Sequence, residues 1–462
     1  MCIFSVRSRR FTRFTQEVAM GSRCLFNAFL GLLILAMFQP AVMLFSQQKM
    51  DSIQRAQSEQ ILRDAYDNVK KHYYDSKYHG LDLDARYHDF DARVKNAPNL
   101  GQAFRMVAAF LDGLNDSHTF FEPPSRTSRT EDGYQLRIYG DNCFVVAVRP
   151  GTDAEAKVHI GDQVLTYNNY NVNRADKWKM EYYFKALAPQ PASVLELRDP
   201  AGQERKVTVD AKVRELKKVM DLTGANSGGD MWDLVREEEN SNRIMRQRWV
   251  NVSDVMIWKM PIFFLEDTEV DHIFAEARKH RALIIDLRGN PGGAVVTLER
   301  IISDMFEGEV KVADRIGRKD LKPEIAKAHG GDKFTGKVIV ILDSGSASAA
   351  ELLARVIQLE KRGTVIGDRS SGAVMESLRY PASQGVDTKI FYGFSITEAD
   401  LIMKDGKSLE HVGVTPDETV LPTAKDLARG WDPVLSRAAE LAGVTLEPAA
   451  AGKLFPIEWM PN

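Results

Sequence analysis

Residues 337–359, KVIVILDSGSASAAELLARVIQL, divide into three physical segments. Lys337–Leu342 is a β-branched apolar run of strand length. Asp343, Ser344 and Gly345 are turn formers. Ala347–Leu359 has the composition and period of a helix, with Ser348 and Glu351 spaced as a capping box. The same grammar repeats around it. Upstream lie a strand at Val255–Trp258, a helix at Thr268–Lys279, a strand at Ala282–Leu287 and a helix at Val295–Phe306. Thr364–Ile366 is one more strand. Alternating strands and helices predict an α/β domain over residues 251–440 with a largely parallel sheet. Sites in such sheets form at the carboxyl ends of strands.

Farther out, the pattern changes. Ile53, Ile61, Leu62, Tyr66, Val69 and Tyr73 recur at helical spacing, as do Phe104, Val107, Phe110 and Leu111. They make residues 50–130 an N-terminal helical region, whose loop carries Ser117 and His118. Residues 133–213 read as a β-rich module: a strand at Phe144–Val148, a short helix from Ala154 to Lys157, a Gly161-Asp162 turn, and strands at Gln163–Tyr167, Val194–Leu197 and Lys206–Val209. This order resembles a PDZ domain. Such a module pairs an extended C-terminus as an added strand and holds its carboxylate on backbone N–H groups. The expected carboxylate loop is Gly133, Tyr134, Gln135 and Leu136. Residues 214–250 read as a linker or insertion and 441–462 as a C-terminal tail.

Residues 1–47 differ from the rest. Arg7, Arg9, Arg10, Arg13 and Arg23 precede an apolar run from Cys24 to Phe45, and Ser46, Gln47 and Gln48 come after it. This is the layout of an export signal, with an uncleaved membrane anchor as the alternative. The remainder of the chain is expected outside the cytoplasm, in the periplasm or facing it, touching membrane only through this segment. With 61 basic and 64 acidic residues the net charge is −3, and no basic face points to nucleic acid. Of three cysteines only Cys143 lies beyond the signal, and no zinc-type pairing of Cys or His occurs, so neither metal nor cofactor is expected. Oligomeric state is open.

Four segments could carry chemistry. Ser348 sits at a helix start, where free N–H groups favour developing negative charge, though on local pattern alone the capping box is the stronger reading. Asp286-Leu-Arg-Gly-Asn-Pro-Gly-Gly293 ends a strand in glycines that permit close backbone approach, and Gly292 or Gly293 could offer an N–H to an oxyanion. A phosphate loop is the rival, but no Gly-Lys-Ser/Thr follows. Ser117-His118 lies on a loop, and nothing in the spacing connects it to Ser348. Glu410, within Gly406-x-x-x-Glu410-x-x-Gly413-Val414-x-Pro416-Asp417, reads as a solvated turn residue.

Together these segments resemble, over residues 55–425, the tail-specific or C-terminal processing serine peptidases and the related tricorn core protease. The likeness rests on the helical N-terminus, the PDZ-like module, "DLRGNPGG", "SASAAE", "GDRSSG" and "GVTPD". It implies a crotonase-like α/β catalytic domain and protein or peptide substrates, with Ser348 as nucleophile. The oxyanion hole would come from the N–H of Ala349 with that of Gly292 or Gly293. The lysine-using branch carries its base where this chain has Ala373, so a Ser–Lys dyad is not available. Ser117-His118 resembles the histidine segment of the tricorn-like branch, which implies His118 as base, with Ser117 and Glu410 orienting it. A catalytically inactive peptide or apolar-ligand carrier of the same fold is the alternative.

Overall fold

A computed structural model describes residues 49–124, 128–215, 245–385 and 389–459. The proposed export segment and most of the 214–250 insertion lie outside them. Three helices open the described chain: α1 (Ser52–His72), α2 (Leu83–Lys95) and α3 (Leu100–Asp112). Asp51, Asp82 and Asn99 cap them by accepting a backbone N–H. Next come β1 (Phe120–Glu122), β2 (Ser128–Glu131), β3 (Tyr134–Tyr139), β4 (Asn142–Val148), α4 (Asp153–Lys157), β5 (Gln163–Tyr167) and β6 (Tyr170–Asn171). A continuous helical segment, α5 (Lys177–Glu181) and a π-type turn (Tyr182–Leu187), precedes β7 (Ala192–Arg198), β8 (Glu204–Asp210) and β9 (Lys212–Glu215).

The second half comprises β10 (Arg248–Val252), β11 (Val255–Lys259), α6 (Asp267–Ala277), β12 (Ala282–Asp286), α7 (Val295–Ser303), β13 (Val310–Gly317) and β14 (Glu324–Ala326). After them stand β15 (Lys337–Leu342), α8 (Ala349–Leu359), β16 (Gly363–Gly367), β17 (Met375–Gln384), β18 (Ile390–Met403) and β19 (Glu418–Thr419). The chain closes with α9 (Ala424–Ala428), α10 (Pro433–Leu441) and α11 (Pro448–Ala451).

The expected parallel sheet is present, in the order β10-β11-β12-β15-β16-β19, and only the β10–β11 pair is antiparallel. Its central strands β11, β12 and β15 are almost wholly apolar and buried because both faces are covered. Side-chain alternation divides them between two cores. Leu283, Ile285, Val338, Val340 and Leu342 pack with α6, α7 and α8. Ala282, Ile284, Ile339 and Ile341 pack with Leu435, Ala438 and Ala451 of α10 and α11. Residues 441–459, read as a tail, are therefore part of the cover: Val444, Leu446, Leu454 and Phe455 join that second core. Arg248 adds an ion pair to Glu458 at 3.2 Å.

A second sheet has no counterpart in the sequence reading. It runs β1-β18-β13-β14, with β17 also on β18, and its links are antiparallel. β1 directly follows the His118 loop and pairs Phe121 with Phe394 of β18. Tyr392, Phe394 and Ile396 of β18 complete the core of the three N-terminal helices. That pairing fastens the N-terminal region to the half of the chain that carries the parallel sheet.

The β-rich module is a sheet of order β3-β4-β5-β7-β8, with β6 on β5. Tyr134, Gln135 and Leu136, expected in a loop, are the first residues of edge strand β3; only Gly133 is a turn, at φ +77°. The module rests on the loops of the parallel sheet. Arg137 pairs with Asp343 at 3.0 Å, Ser344 Oγ donates to the Ile138 carbonyl at 2.7 Å, and Arg174 pairs with Asp368 at 2.5 Å.

Candidate active site

Three strands, β12, β15 and β16, end at the same edge of the parallel sheet, and their loops interlock. Asp343, at the end of β15, is 1% exposed and accepts from Gly289 N (2.8 Å) and Gly345 N (2.9 Å). Ser346 Oγ donates to the Leu287 carbonyl at 2.9 Å, and Ala347 N donates to the Asn290 carbonyl at 2.9 Å. Arg288 forks onto Asp286 and Asp432, with Nη2 at 2.8 Å from each. The acidic and basic residues of the glycine loop are thus structural braces, and the glycines do the approaching.

Gly292 makes that approach at φ +96°; a Cβ there would lie 2.7 Å from Ser348 Cβ and 2.9 Å from the Ala347 carbonyl oxygen. Its own N–H is committed to Asn290 Oδ1 at 2.8 Å. Gly293, exposed at φ +142°, is the other candidate donor, and its N–H has no acceptor among the described residues. Ala349 N is equally free, as the first helical N–H of α8 must be.

Ser348 precedes α8 at φ +53°, ψ −119°. An ordinary N-cap lies in the β region. A non-glycine residue held here costs about 1–3 kcal/mol, and such strain gathers at functional turns, including those that expose nucleophilic serines. Ser348 N donates to the Ala373 carbonyl at 2.9 Å and to Glu351 Oε2 at 3.0 Å. The carboxylate half of the capping box is real, so the cap reading and the nucleophile reading are compatible.

Glu351 does more than cap. It is fully buried and also accepts from Ser370 Oγ (2.6 Å), Gly372 N (2.7 Å) and Ala373 N (3.0 Å). It therefore clamps the Ser348 turn to the 370–373 loop, a role its sequence position as N3 of a helix does not reveal. Burial pushes its carboxyl up to about 7, against the pull of these donors. A folded-state value above the usual 4.5 means that this group's stabilisation is complete below about 4.5 and lost as pH rises through about 7. Glu351→Gln, which cannot ionise, is expected to flatten the fall in Tm across that window in calorimetry. Turning an amide NH2 toward N–H donors should cost about 2 kcal/mol at pH 5.

His118 comes from the other side. Asp116, 8% exposed, closes an Asx turn, its Oδ1 accepting from His118 N (2.9 Å), Thr119 N (2.7 Å) and Thr397 Oγ1 (2.6 Å). The Asn-Asp-Ser-His order could have signalled that turn in the sequence. Glu410 follows β18 by a few residues and accepts from Ser117 N (2.7 Å), Ser117 Oγ (2.9 Å) and Val374 N (2.8 Å). Ser117 Oγ, its hydrogen given to Glu410, is left as acceptor toward His118 Nδ1 at 2.7 Å. This assigns the hydrogen to Nδ1 and leaves Nε2 with a lone pair. Burial lowers the imidazole from its ordinary 6.5, and the Asp116 charge offsets this only in part.

Residues 373 and 374 join the two halves. The Ala373 carbonyl holds Ser348 and the Val374 N–H holds Glu410, so the serine turn and the Glu410–Ser117–His118 chain hang on the two ends of one peptide unit. Among the described residues no hydrogen bond joins the Ser348 and His118 side chains directly. Gly133–Leu136 lie apart from this cluster, at the start of β3, whose far end meets Ser344.

Comparison with known proteins bears on the family and the fold. The model of peptidase family S41 matches residues 254–420, and that of the tricorn protease C1 domain matches residues 54–107. A carboxy-terminal-processing protease of Bartonella bacilliformis is 31% identical over 168 residues, 36% of this chain and 36% of that protein. A tail-specific protease of Haemophilus influenzae is 25% identical over 283 residues, 56% of this chain and 36% of that protein. A chloroplastic C-terminal processing peptidase of Tetradesmus obliquus is 26% identical over 407 residues, 80% of each. The matches to the first two thus span about a third of their length. Mature CPAF shares the fold, with a TM-score of 0.60 at 16% identity over 82% of this chain and 95% of that one. With its mixed α/β architecture, the chain carries a peptidase family S41 domain at residues 254–420 and is similar to C-terminal processing and tail-specific proteases.

Proposed function

We propose that this chain is an exported serine endopeptidase in which Ser348 attacks the peptide carbonyl and His118 is the general base. The observation that carries the reading is the hydrogen-bonded chain Glu410–Ser117–His118, anchored on the same peptide unit, Ala373–Val374, that holds Ser348. With Nδ1 protonated, Nε2 takes the Ser348 proton as Oγ bonds to the carbonyl carbon. The tetrahedral intermediate expels the amine, which recovers that proton from Nε2. Water then enters by the same route and releases Ser348. Glu410, through Ser117, steadies the charged imidazole.

The free N–H groups of Ala349 and Gly293 would receive the oxyanion, each worth roughly 3–4 kcal/mol in the transition state. Gly292 acts as the spacer that lets them converge. The β-rich module is read as a PDZ domain taking substrate C-termini along β3. Residues 1–47 are read as the export segment that places the enzyme in or facing the periplasm.

A fluorophosphonate probe tests this reading. Labelling of the folded protein with the adduct mapped to Ser348 is the expected result. A folded, unlabelled protein would instead identify a peptide or apolar-ligand carrier that has kept the fold without the chemistry.

A further inference from the structure

Between the N-terminal helices and the module lies a cavity of about 620 Å³, away from the Ser348 cluster. Phe90, Met106, Tyr170, Met180, Tyr183 and Phe184 form much of its wall, and Asn171 and Asp176 form part of its rim. Three cations line it. Arg93 pairs with Asp89 at 2.8 Å and Lys179 with Asp112 at 2.7 Å. Arg105, on α3, has neither ion pair nor hydrogen bond among the described residues; its Nε is buried without an acceptor, and its guanidinium stacks 5.3 Å over Phe184. Desolvation lowers its pKa, and only tyrosines oppose that, with no carboxylate nearby to compensate. The guanidinium is half-buried, and its buried Nε is left without an acceptor, a state that an incoming counter-charge would relieve.

We infer that this cavity binds the free C-terminal carboxylate of a peptide ending in an apolar or aromatic residue, with Arg105 as its partner. The planar guanidinium fork matches one carboxylate bidentately. Aromatic and methionine walls suit an apolar terminal side chain. Asn171 and Asp176 supply acceptors for peptide N–H groups, which an alkyl chain would leave unpaired. The site lies across the helical segment from β3. Lys185 of that segment turns toward Asp132 (3.0 Å) and Tyr134, whereas Met180, Tyr183 and Phe184 line the cavity. It is thus separate from the Gly133–Leu136 strand start.

The test is an equilibrium measurement on the full chain carrying Ser348→Ala, so it is independent of hydrolysis. A dye-labelled hexapeptide ending in Leu-Phe with a free carboxylate is compared by fluorescence anisotropy with its C-terminal amide, and laurate is added as competitor. The free acid is expected to bind about tenfold or more tightly than the amide, as a charge-assisted hydrogen bond implies. Arg105→Gln should erase that difference and Arg105→Lys should keep part of it. Both variants should unfold close to the parent temperature, since Arg105 has no ion pair or hydrogen bond among the described residues to lose and only its stack on Phe184 changes. Fluorophosphonate labelling of Ser348 in a chain bearing Arg105→Gln alone should equal that of the unaltered chain. Discrimination that survives Arg105→Gln would put the carboxylate elsewhere and overturn the proposal. So would equal binding of acid and amide, no binding of either, or binding of laurate alone.

Discussion

Ser348→Ala and His118→Ala should each lower kcat/KM for peptide hydrolysis by about 10⁴–10⁶-fold, and the double variant should fall no further, because groups that act as one unit are not additive. Each removes one end of a single proton transfer, and the remaining partner has nothing to exchange with. What survives is the contribution of the two free N–H groups and of substrate binding. The pH profile carries the second signature. His118 must be neutral to accept the proton, and burial lowers its pKa below 6.5. Activity should therefore rise with pH along an acid limb centred below 6.5 and stay on its plateau at neutral pH. Ala373→Lys in the His118→Ala background should not restore activity, because a lysine base needs a pocket built for it. Full recovery there, or an acid limb centred above 6.5, would remove His118 from the base role.

Gly292→Ala is expected to be nearly as damaging for a different reason. The added methyl would stand 2.7 Å from Ser348 Cβ, 2.9 Å from the Ala347 carbonyl oxygen and 3.0 Å from Ala349 N. None of these is the end of a flexible side chain. Alanine would also be strained at φ +96°. Overpacking and the disfavoured dihedral together should cost about 3 kcal/mol or more. Relief requires the Ser348 turn to move, and a displacement of about 1 Å at a reacting group can lose about 100-fold in rate. Thermal denaturation and fluorophosphonate labelling should therefore both report the change. Unaltered labelling by a stable Gly292→Ala protein would mean that the glycine loop does not touch the nucleophile.

Much of this architecture can be read along the chain because its signals are local. The two-faced apolar runs at 282–287 and 337–342, the helices between them and the glycines of residues 289–293 announce a parallel sheet whose loops meet at one edge. Ser348 is legible for the same reason, as a small residue at a strand–helix turn. The antiparallel sheet escapes because β17 and β18 alternate irregularly and β18 also pairs with β1 and β13, partners that the chain does not name. Glu351 is legible only as a cap, since its four donors come from residues 348 and 370–373 and converge only on folding. Glu410 looks solvated for a similar reason: its donors lie 293 and 36 positions away.

The linear chain thus carries the α/β class, the edge of the sheet where chemistry could gather, and the absence of a lysine at residue 373. Folding is what brings the His118 loop to that edge and leaves the Gly293 N–H without an acceptor among the described residues. A strand of three residues, Phe120–Glu122, carries the His118 loop across to β18 and Glu410. Pairing over such a distance is selected by burial of Phe121 against Phe394 and by the fit of Ser117 to Glu410, not by any periodicity that a linear chain displays.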